Sequence, residues 1–242
     1  MKKPMVAMLI GLAAGLGLVQ ATQAEEERSW NWSPFGIGIA APLQLPFTDS
    51  DVYGLRFGGF YGENNDVYGL DCGAVELEWG EFAGVQAALF TWAEGDVYGL
   101  QVGALANVVG GKTYGLQAGF VNVDWAGATG LQLGAINYDI DFTGLQLGAI
   151  INWNNAASAG AQLGLINADQ DAFKGCAIGL VNYSGPFNGL QLGVVDIADE
   201  MTGLQLGLFN ACRKMRGMQI GLLNLIESNE RLPAMLLANA SF

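Results

Sequence analysis

The chain contains no histidine, the side chain that most often acts as a general base and as a metal ligand at neutral pH. It has no G-x-S-x-G segment, and its many Gly-x-Gly segments lack the strand–loop–helix context of a dinucleotide site. The carboxylate pairs Asp139 with Asp141 and Asp169 with Asp171 lie in variable stretches, where we expect solvated turns. Because no catalytic constellation is present, we predict a protein that is not an enzyme and takes no cofactor.

Positive charge is also scarce, with 10 Lys and Arg against 23 Asp and Glu and a net charge of −13. Binding to nucleic acid through phosphate contacts needs clustered Lys and Arg, so we predict no nucleic-acid partner. The excess of negative charge is expected to keep a glycine-rich, apolar chain apart from its neighbours.

Cysteine is limited to Cys72, Cys176 and Cys212, an odd number that leaves at least one thiol unpaired. Cys72 and Cys176 occupy Leu positions of the repeat described next. Since free Cys is usually buried, we expect both to be small hydrophobic core residues.

An eight-residue segment close to G-L-Q-L-G-A-I-N recurs every 14 to 16 residues, and such internal repetition determines the fold. Its third residue is Gln in nine copies, its fifth is Gly in all copies but the one with Ala88, and its eighth is mostly Asn. Two longer copies place their Asn one residue late, which predicts a one-residue bulge at Ala106 and Ile151. The twelve copies begin at Gly54, Gly69, Gly84, Gly99, Gly115, Gly130, Gly144, Gly160, Gly175, Gly189, Gly203 and Gly217.

The segment has the period of two that is typical of a β-strand. Leu131 and Leu133 then lie on one face, and Gly130, Gln132 and Gly134 lie on the other. The residues expected to carry the repeat structurally are, in two successive copies, Gly130, Gln132, Gly134 and Asn137, then Gly144, Gln146, Gly148 and Asn152.

The predicted fold is an all-β repeat protein, a parallel β-solenoid of about 12 coils of 14–16 residues each. Uniform spacing favours this fold, because each coil meets the same neighbour. In this arrangement we expect the Leu residues to fill the interior, with Gln and Asn ladders along the outside and in the turns. Leu147→Asp should therefore be severely destabilising, and Gln146→Ala should cost only about 1 kcal/mol.

The alternative is an antiparallel meander closed into a β-barrel of about 14 strands, either a small outer-membrane pore or a lipid-embedded scaffold. A membrane would then be the partner, with Leu facing lipid and Gly-Gln-Gly lining the lumen. Tyr residues before the repeat Gly and Trp residues beyond the segment would form interfacial girdles. The intervals, however, do not alternate between short turns and long loops as they do in such barrels.

Residues 1–24 have the pattern of a secretory signal peptide: Lys2 and Lys3, an apolar run, and a small residue before an acidic stretch. We expect a lead-in or cap over residues 25–53, the repeat array over 54–229, and a cap or last strand over 230–242. Removing the signal would shift the net charge to −15, because two Lys are lost.

The G-x-Q-x-G-x-x-N array over residues 54–224 resembles a loose group of bacterial exported and surface proteins with GLQLGLIN-type repeats, a group without an assigned activity. The resemblance implies a location in the periplasm, in the outer membrane or on the cell surface, and no catalytic residues. Many members of this group look like lipoproteins, whereas this chain lacks a Cys near the cleavage site. We expect an exported structural or interaction module with a surface or envelope partner.

A weaker hypothesis is calcium binding by Asp51, Asp66 and Asp96, which recur as Asp-Val-Tyr-Gly just before three repeats. The favoured interpretation is an Asp that forms a turn before a strand, because a hard cation needs six to eight oxygen ligands. Binding to ice is disfavoured as well, because the array has no rows of Thr.

Overall fold

A computed structural model describes residues 32–41, 43–230 and 232–241. The predicted signal peptide lies outside these residues. The described chain is all β: β1 (Trp32–Ala40), β2 (Leu43–Leu45), β3 (Asp51–Asn64), β4 (Val67–Cys72), β5 (Val75–Glu78), β6 (Phe82–Ala93), β7 (Val97–Val109), β8 (Thr113–Asp124), β9 (Ala128–Asp139), β10 (Phe142–Asn154), β11 (Ser158–Asp169), β12 (Phe173–Ile178), β13 (Val181–Leu192), β14 (Val195–Leu206), β15 (Phe209–Ile226) and β16 (Ala234–Ser241).

The strands form a parallel β-solenoid of about 13 turns, which confirms the predicted fold. Equivalent residues of successive copies pair in register: Gly144 with Gly130, and Gln146 with Gln132 and with Gln162. The alternative of an antiparallel meander closed into a barrel is wrong, because neighbouring repeats pair parallel and the strand order runs from one end of the sheet to the other.

Antiparallel pairing occurs at both ends of the stack. At the N-terminal end, β1 pairs parallel with β3 and antiparallel with β2. At the C-terminal end, β16 lies antiparallel to β15, the last strand of the array. These strands supply hydrogen-bond partners to the terminal coils, which would otherwise present open sheet edges.

The interior of the solenoid is the reverse of the one we predicted. Gln132, Gln146, Asn137 and Asn152 are at most 1% exposed. Leu147, in contrast, is only half-buried and points outward. The side chains that face inward at the third, eighth and tenth positions of the repeat are thus largely polar, and the Leu residues form the outer surface.

The repeat Gly explains why the Gln side of the strand faces inward. Gly144 has φ +139°, and a Cβ placed on it would lie 2.0 Å from the carbonyl oxygen of Gly130 in the preceding coil. A Cβ on Gly148, the fifth position, would lie 2.5 Å from the Oδ1 of Asn152. Gly at the first position thus lets successive coils approach closely, and Gly at the fifth position leaves room for the inward Asn amide.

The exceptional Ala88 and the two longer copies also have structural explanations. The coil that carries Ala88 has the smaller Thr91 in place of Asn, so a methyl group is accommodated. In the longer copies the register shifts between Gly103 and Ala106 and between Gly148 and Ile151. The bulges thus precede Ala106 and Ile151, which themselves pair with neighbouring coils.

Candidate functional site

A ladder of buried Gln amides follows the axis of the solenoid. The Nε2 of Gln146 donates to the Oε1 of Gln132 at 3.0 Å, and Gln162 donates to Gln146 at 3.1 Å. Each Gln therefore donates toward the N-terminal end of the stack. We call the buried series Gln86, Gln101, Gln117, Gln132, Gln146 and Gln162 the Gln ladder.

A second ladder, made of Asn amides, runs beside it with the opposite polarity. The Nδ2 of Asn122 donates to the Oδ1 of Asn137 at 2.8 Å, toward the C-terminal end, and also to the carbonyl oxygen of Leu133 at 2.9 Å. The bonds to backbone carbonyl oxygens fix the orientation of each Asn amide, since only its NH₂ group can donate. The Asn ladder comprises Asn107, Asn122, Asn137, Asn152, Asn167 and Asn182.

Each ladder ends on a carboxylate at the end to which its N–H groups point. Gln86 donates to the Oδ2 of Asp71 at 2.8 Å, and Asn182 donates to the Oδ1 of Asp196 at 2.6 Å. A row of aligned amide dipoles leaves a donor at one end, and an acidic side chain accepts it as it would at a helix N-terminus. The Asp substitutions in the repeat thus terminate the two ladders.

Asp196 carries a second oxygen, Oδ2, for which the structure shows no hydrogen-bond donor, and the same is true of the Oδ1 of Asn210 in the next coil. Both oxygens lie within 2.8 Å of the point that a Cβ on Gly207 would occupy. Burial raises the pKa of Asp196 to about 6, against the opposing effect of its bond from Asn182. A proton on Oδ2 would let Asp196 donate to Asn210 in the way an Asn does.

Three further carboxyl groups, Asp124, Asp139 and Asp169, lie at the tenth position of their repeats and are at most 1% exposed. They accept bonds from the Gln ladder, for example from Gln132 to Asp124 at 2.7 Å and from Gln146 to Asp139 at 2.6 Å. Burial raises the pKa of Asp169 to about 7 and the pKa of Asp139 well above its usual value. The expected solvated turns are therefore wrong for Asp139 and Asp169, whereas Asp141 is 41% exposed and Asp171 is exposed.

The N-terminal end of the polar interior is closed by a buried charge cluster, in which Arg56 replaces a repeat Gln. Its Nε and Nη2 donate to both oxygens of Asp71 at 2.7 and 2.6 Å, and Nη2 also contacts Glu76 and Glu78. Burial raises the pKa of each of these Glu residues to about 8, although Arg56 opposes that shift. Asp71, Glu76 and Glu78 are spaced so that they could hold a cation, but the guanidinium of Arg56 lies among them.

Toward the C-terminal end apolar side chains interrupt the Gln ladder. Ala177 interrupts the Gln ladder and leaves the Oε1 of Gln162 without a donor. Stacked rings of Phe173 and Phe187, with centroids 5.4 Å apart, occupy the interior beside it. A cluster of apolar and sulfur-containing side chains here lies with a second buried Gln series, in which Gln205 donates to Gln191 and Gln219 donates to Gln205, each at 2.7 Å.

With the amides inside, the apolar residues of the repeat cover the outside. In all twelve copies the second, fourth, sixth and seventh residues are apolar or Gly, without one charge or hydrogen-bonding side chain. The sixth and seventh residues lie where the coil reverses, and their large side chains are strongly exposed. We call this line the apolar edge: Phe60, Leu89, Leu105, Phe120, Leu165, Leu180, Leu208 and Leu222, which are between 46% and 75% exposed.

The opposite edge carries the surface charge. Within residues 54–226, every charged residue outside the interior lies between the ninth position of one copy and the residue before the next repeat Gly. Lys112 and Asp141 form an ion pair there at 3.1 Å, and Lys214 and Glu200 form another at 2.6 Å. Because each coil has two strands facing each other, the solenoid has the form of a slab with two broad faces and two edges. We call this side of the slab the charged edge.

Aromatic side chains lie in two rows next to the charged edge, one on each broad face. The first row contains the stacked pairs Tyr53 with Tyr68 and Tyr98 with Tyr114, whose centroids are 4.9 and 5.1 Å apart. The second row lies on the other strand of the coil, at in-register positions on the far side of the slab: Trp92, Tyr138, Trp153 and Tyr183. Both rows thus separate the apolar side of the slab from its charged edge.

The calcium candidates lie on the charged edge and bond to backbone. The Oδ1 of Asp66 accepts from the N–H of Glu81 at 2.7 Å, and the Oδ1 of Asp96 accepts from Lys112 at 2.7 Å. Asp51 likewise accepts from the N–H of Asp66 at 3.3 Å. Each Asp thus orders the turn of the following coil, as its sequence context indicates.

Two cysteines differ from our expectation. Cys72, at a Leu position, is exposed, and Cys176 is half-buried, because the Leu side of the strand faces outward. Cys212, at the tenth position of its repeat, is buried inside the stack. All three thiols are free.

In the described residues no helix is long and apolar enough to cross a membrane. Comparison with protein-family models, with curated proteins and with solved structures finds no match.

Proposed function

We propose that the protein is an exported, non-enzymatic structural module of the cell envelope, which associates through its apolar outer surface with a hydrophobic partner. The observation that carries the proposal is the uninterrupted apolar character of the second, fourth, sixth and seventh repeat positions in every copy. About 13 coils spaced by about 4.8 Å give a slab about 60 Å long. A continuous apolar surface along this whole length has a larger area than the apolar patches that monomeric soluble proteins expose. Such a surface is typical of an interaction site.

The signal-peptide pattern of residues 1–24 and the GLQLGLIN-type repeats support an envelope location. The absence of a catalytic role is proposed on the placement of the acidic groups. The carboxylates with the most strongly perturbed pKa values, Glu76, Glu78, Asp124 and Asp139, are fully buried and bonded to the amide ladders or to Arg56. Glu78, Asp124 and Asp139 accept hydrogen bonds, Glu76 is ion-paired with Arg56, and all four lie out of reach of a substrate.

A conducting pore receives no support from this geometry. The polar interior has the composition of a lumen, but within each ladder the amides of successive coils bond to one another at about the length of a normal hydrogen bond. The side chains of the Gln and Asn ladders are almost fully excluded from solvent. The interior is thus a packed core made of polar groups.

The proposal is tested by purifying residues 25–242 with and without a mild detergent and measuring mass by light scattering. We expect a β-rich protein that is monodisperse only with detergent and that binds a hydrophobic dye strongly when detergent is removed. A monodisperse monomer that needs no detergent and binds no dye would contradict the proposal. A matched control replaces Leu133, Leu147 and Leu163 with Gln, which should reduce both the detergent requirement and the dye binding.

A further inference from the structure

The cross-section of the solenoid is graded from apolar to charged. The apolar edge lies at one side of each coil, and the charged edge lies at the other. Between them, Leu residues of the second and fourth positions cover one broad face, Val, Ile and Phe predominate at the seventh position on the other strand, and the Tyr and Trp rows lie next to the charges. The apolar and charged edges recur along the stack, whereas the first aromatic row ends at Tyr114 and the second extends to Tyr183, so the slab is amphipathic across its width.

From this grading we propose that the slab inserts edge-first into one leaflet of a lipid bilayer, with the apolar edge deepest and the charged edge in water. This rests on the proposed function and names the hydrophobic partner as the acyl chains of phospholipids. Tyr and Trp prefer the boundary between hydrocarbon and headgroups, because one end of each ring system is apolar and the other is polar. The two aromatic rows therefore mark the level of the headgroups.

The depth of the apolar part fits a single leaflet. Thr143 occupies the position in its coil that Tyr residues of the first aromatic row occupy in theirs. The strand spans six residue steps from Thr143 to Ala149 at the apolar edge. At about 3.3 Å per residue this is about 20 Å, and the side chains of the row occupy the outermost part of it. One leaflet contributes about 15 Å of hydrocarbon, half the thickness of the bilayer core.

The backbone is also suited to lipid. A backbone group without a partner is costly in hydrocarbon, so segments in contact with acyl chains must satisfy their own hydrogen bonds. Here successive coils pair along the stack, and the corner residues bond as well: the N–H of Leu180 donates to Leu165 at 2.9 Å, and that of Leu223 donates to Leu208 at 2.9 Å. The apolar edge thus presents side chains rather than open backbone to its surroundings.

A second copy of the chain fits this surface less well than lipid does. Both broad faces and the edge between them are apolar, and a partner slab packed on one face would leave the other face and the edge uncovered. A leaflet covers all three at once. The aromatic rows occur on both faces at the same side of the slab, which a face-to-face dimer does not require.

Vesicle flotation tests the inference with protein transferred from detergent to phosphatidylcholine vesicles, and to vesicles in which about a third of the lipid is phosphatidylglycerol. We expect flotation with phosphatidylcholine alone, and no gain from the anionic lipid, because the charged edge is mainly acidic. Replacing Leu105, Leu165 and Leu180 together with Glu should lower the partition coefficient at least a hundredfold. A matched control, Asp171→Ala on the charged edge, should float like the parent.

Quenching by brominated lipids measures the depth. Trp fluorescence should be quenched most by bromine near the headgroups. A fluorophore attached to Leu165→Cys, in a variant whose natural Cys72, Cys176 and Cys212 are replaced with Ala, should be quenched most by bromine near the acyl chain ends. The reverse order would overturn edge-first insertion. Protein that forms defined oligomers and never floats would overturn the lipid assignment while leaving the proposed apolar association intact, and a detergent-free monomer that never floats would refute both.

Discussion

Replacing Asp196 with Asn tests the polar interior, because it exchanges one carboxyl oxygen for an NH₂ group of similar size and removes the charge at the end of the Asn ladder. The Oδ1 of Asp196 accepts from Asn182 at 2.6 Å, while its Oδ2 and the Oδ1 of Asn210 have no donor. An Asn would keep the first bond and supply an N–H to Asn210. The ladder would then run without a break from Asn107 to Asn224.

The magnitude of the effect follows from the pKa of Asp196, which burial raises from 3.8 to about 6. A carboxyl group whose pKa is raised in the folded state has no effect on stability below its unfolded pKa, because it is protonated in both states. As the pH rises from about 4 through about 6 the unfolded state ionises more readily than the folded state, so the free energy of unfolding falls. At about 1.4 kcal/mol per pKa unit, ionising Asp196 costs about 3 kcal/mol above that window. Below that window the protonated Oδ2 of the parent can donate to Asn210 as an Asn would, so the new hydrogen bond adds little to the difference there.

The assay is equilibrium unfolding in guanidinium, followed by circular dichroism at about pH 4 and about pH 8, with parent and variant compared at each pH. Other buried carboxyl groups titrate in both proteins, so their effects cancel in the difference. We expect Asp196→Asn to match the parent to within about 1 kcal/mol near pH 4 and to be more stable by about 3 kcal/mol near pH 8. A difference that does not change with pH would refute the buried, protonated Asp196, and a destabilised variant would refute the ladder geometry.

Three further predictions concern the repeat. Gln146→Ala should lower the free energy of unfolding by about 3 to 5 kcal/mol because it leaves buried ladder groups unpaired, whereas Leu147→Ala on the outer surface should lower it by less than about 1.5 kcal/mol in detergent. Guanidinium unfolding compares the two variants, and a larger loss for Leu147→Ala would refute the inverted interior. Gly144→Ala should destabilise by more than 2 kcal/mol and lower the melting temperature, since a Cβ there would lie 2.0 Å from the oxygen of Gly130 at a φ of +139°; a neutral result would contradict the close approach of the coils. Burial raises the pKa of Asp169 to about 7, so Asp169→Asn should remove a loss of stability that the parent shows between about pH 4 and pH 7; identical pH profiles for parent and variant would count against it.

The fold class could be predicted from the sequence because the repeat fixes it. Near-constant spacing and a period of two within each copy indicate stacked, equivalent strands, and the in-register pairing of Gly130 with Gly144 is what such repetition predicts. The position of the bulges could be predicted to within two residues for a similar reason, because the late Asn107 and Asn152 require an extra residue before them.

Which face of each strand points into the solenoid could not be predicted from alternation alone, since a period of two does not distinguish inside from outside. Hydrophobicity gave the wrong answer for Leu147 and Gln146 because buried amides are stable once every donor and acceptor is paired. Two signals in the sequence favoured the observed arrangement. Gly at the first and fifth positions shares a face with Gln, as a crowded interior requires, and Phe142 has the same parity as Gln146 and is buried beside it.

The acidic residues were the hardest to place. Asp139 and Asp141 are only two residues apart, yet one is fully buried and the other is about 40% exposed. The difference arises because the coil turns between them, and only Asp139 meets the NH₂ groups of the Gln ladder. The sequence pattern does not show where the coil turns, so the burial of Asp139 could be seen only in the structure.

The most direct test of the inverted interior uses the three natural cysteines, which lie on different sides of the strand wall. The protein in detergent is treated with N-ethylmaleimide, which partitions into micelles, and the modified peptides are quantified by mass spectrometry over time. With amides inside, Cys72 reacts first, Cys176 reacts more slowly, and Cys212 reacts only on unfolding. If instead Cys212 reacts in the folded protein while Cys72 and Cys176 stay protected, the Leu side faces inward and the inverted solenoid is wrong.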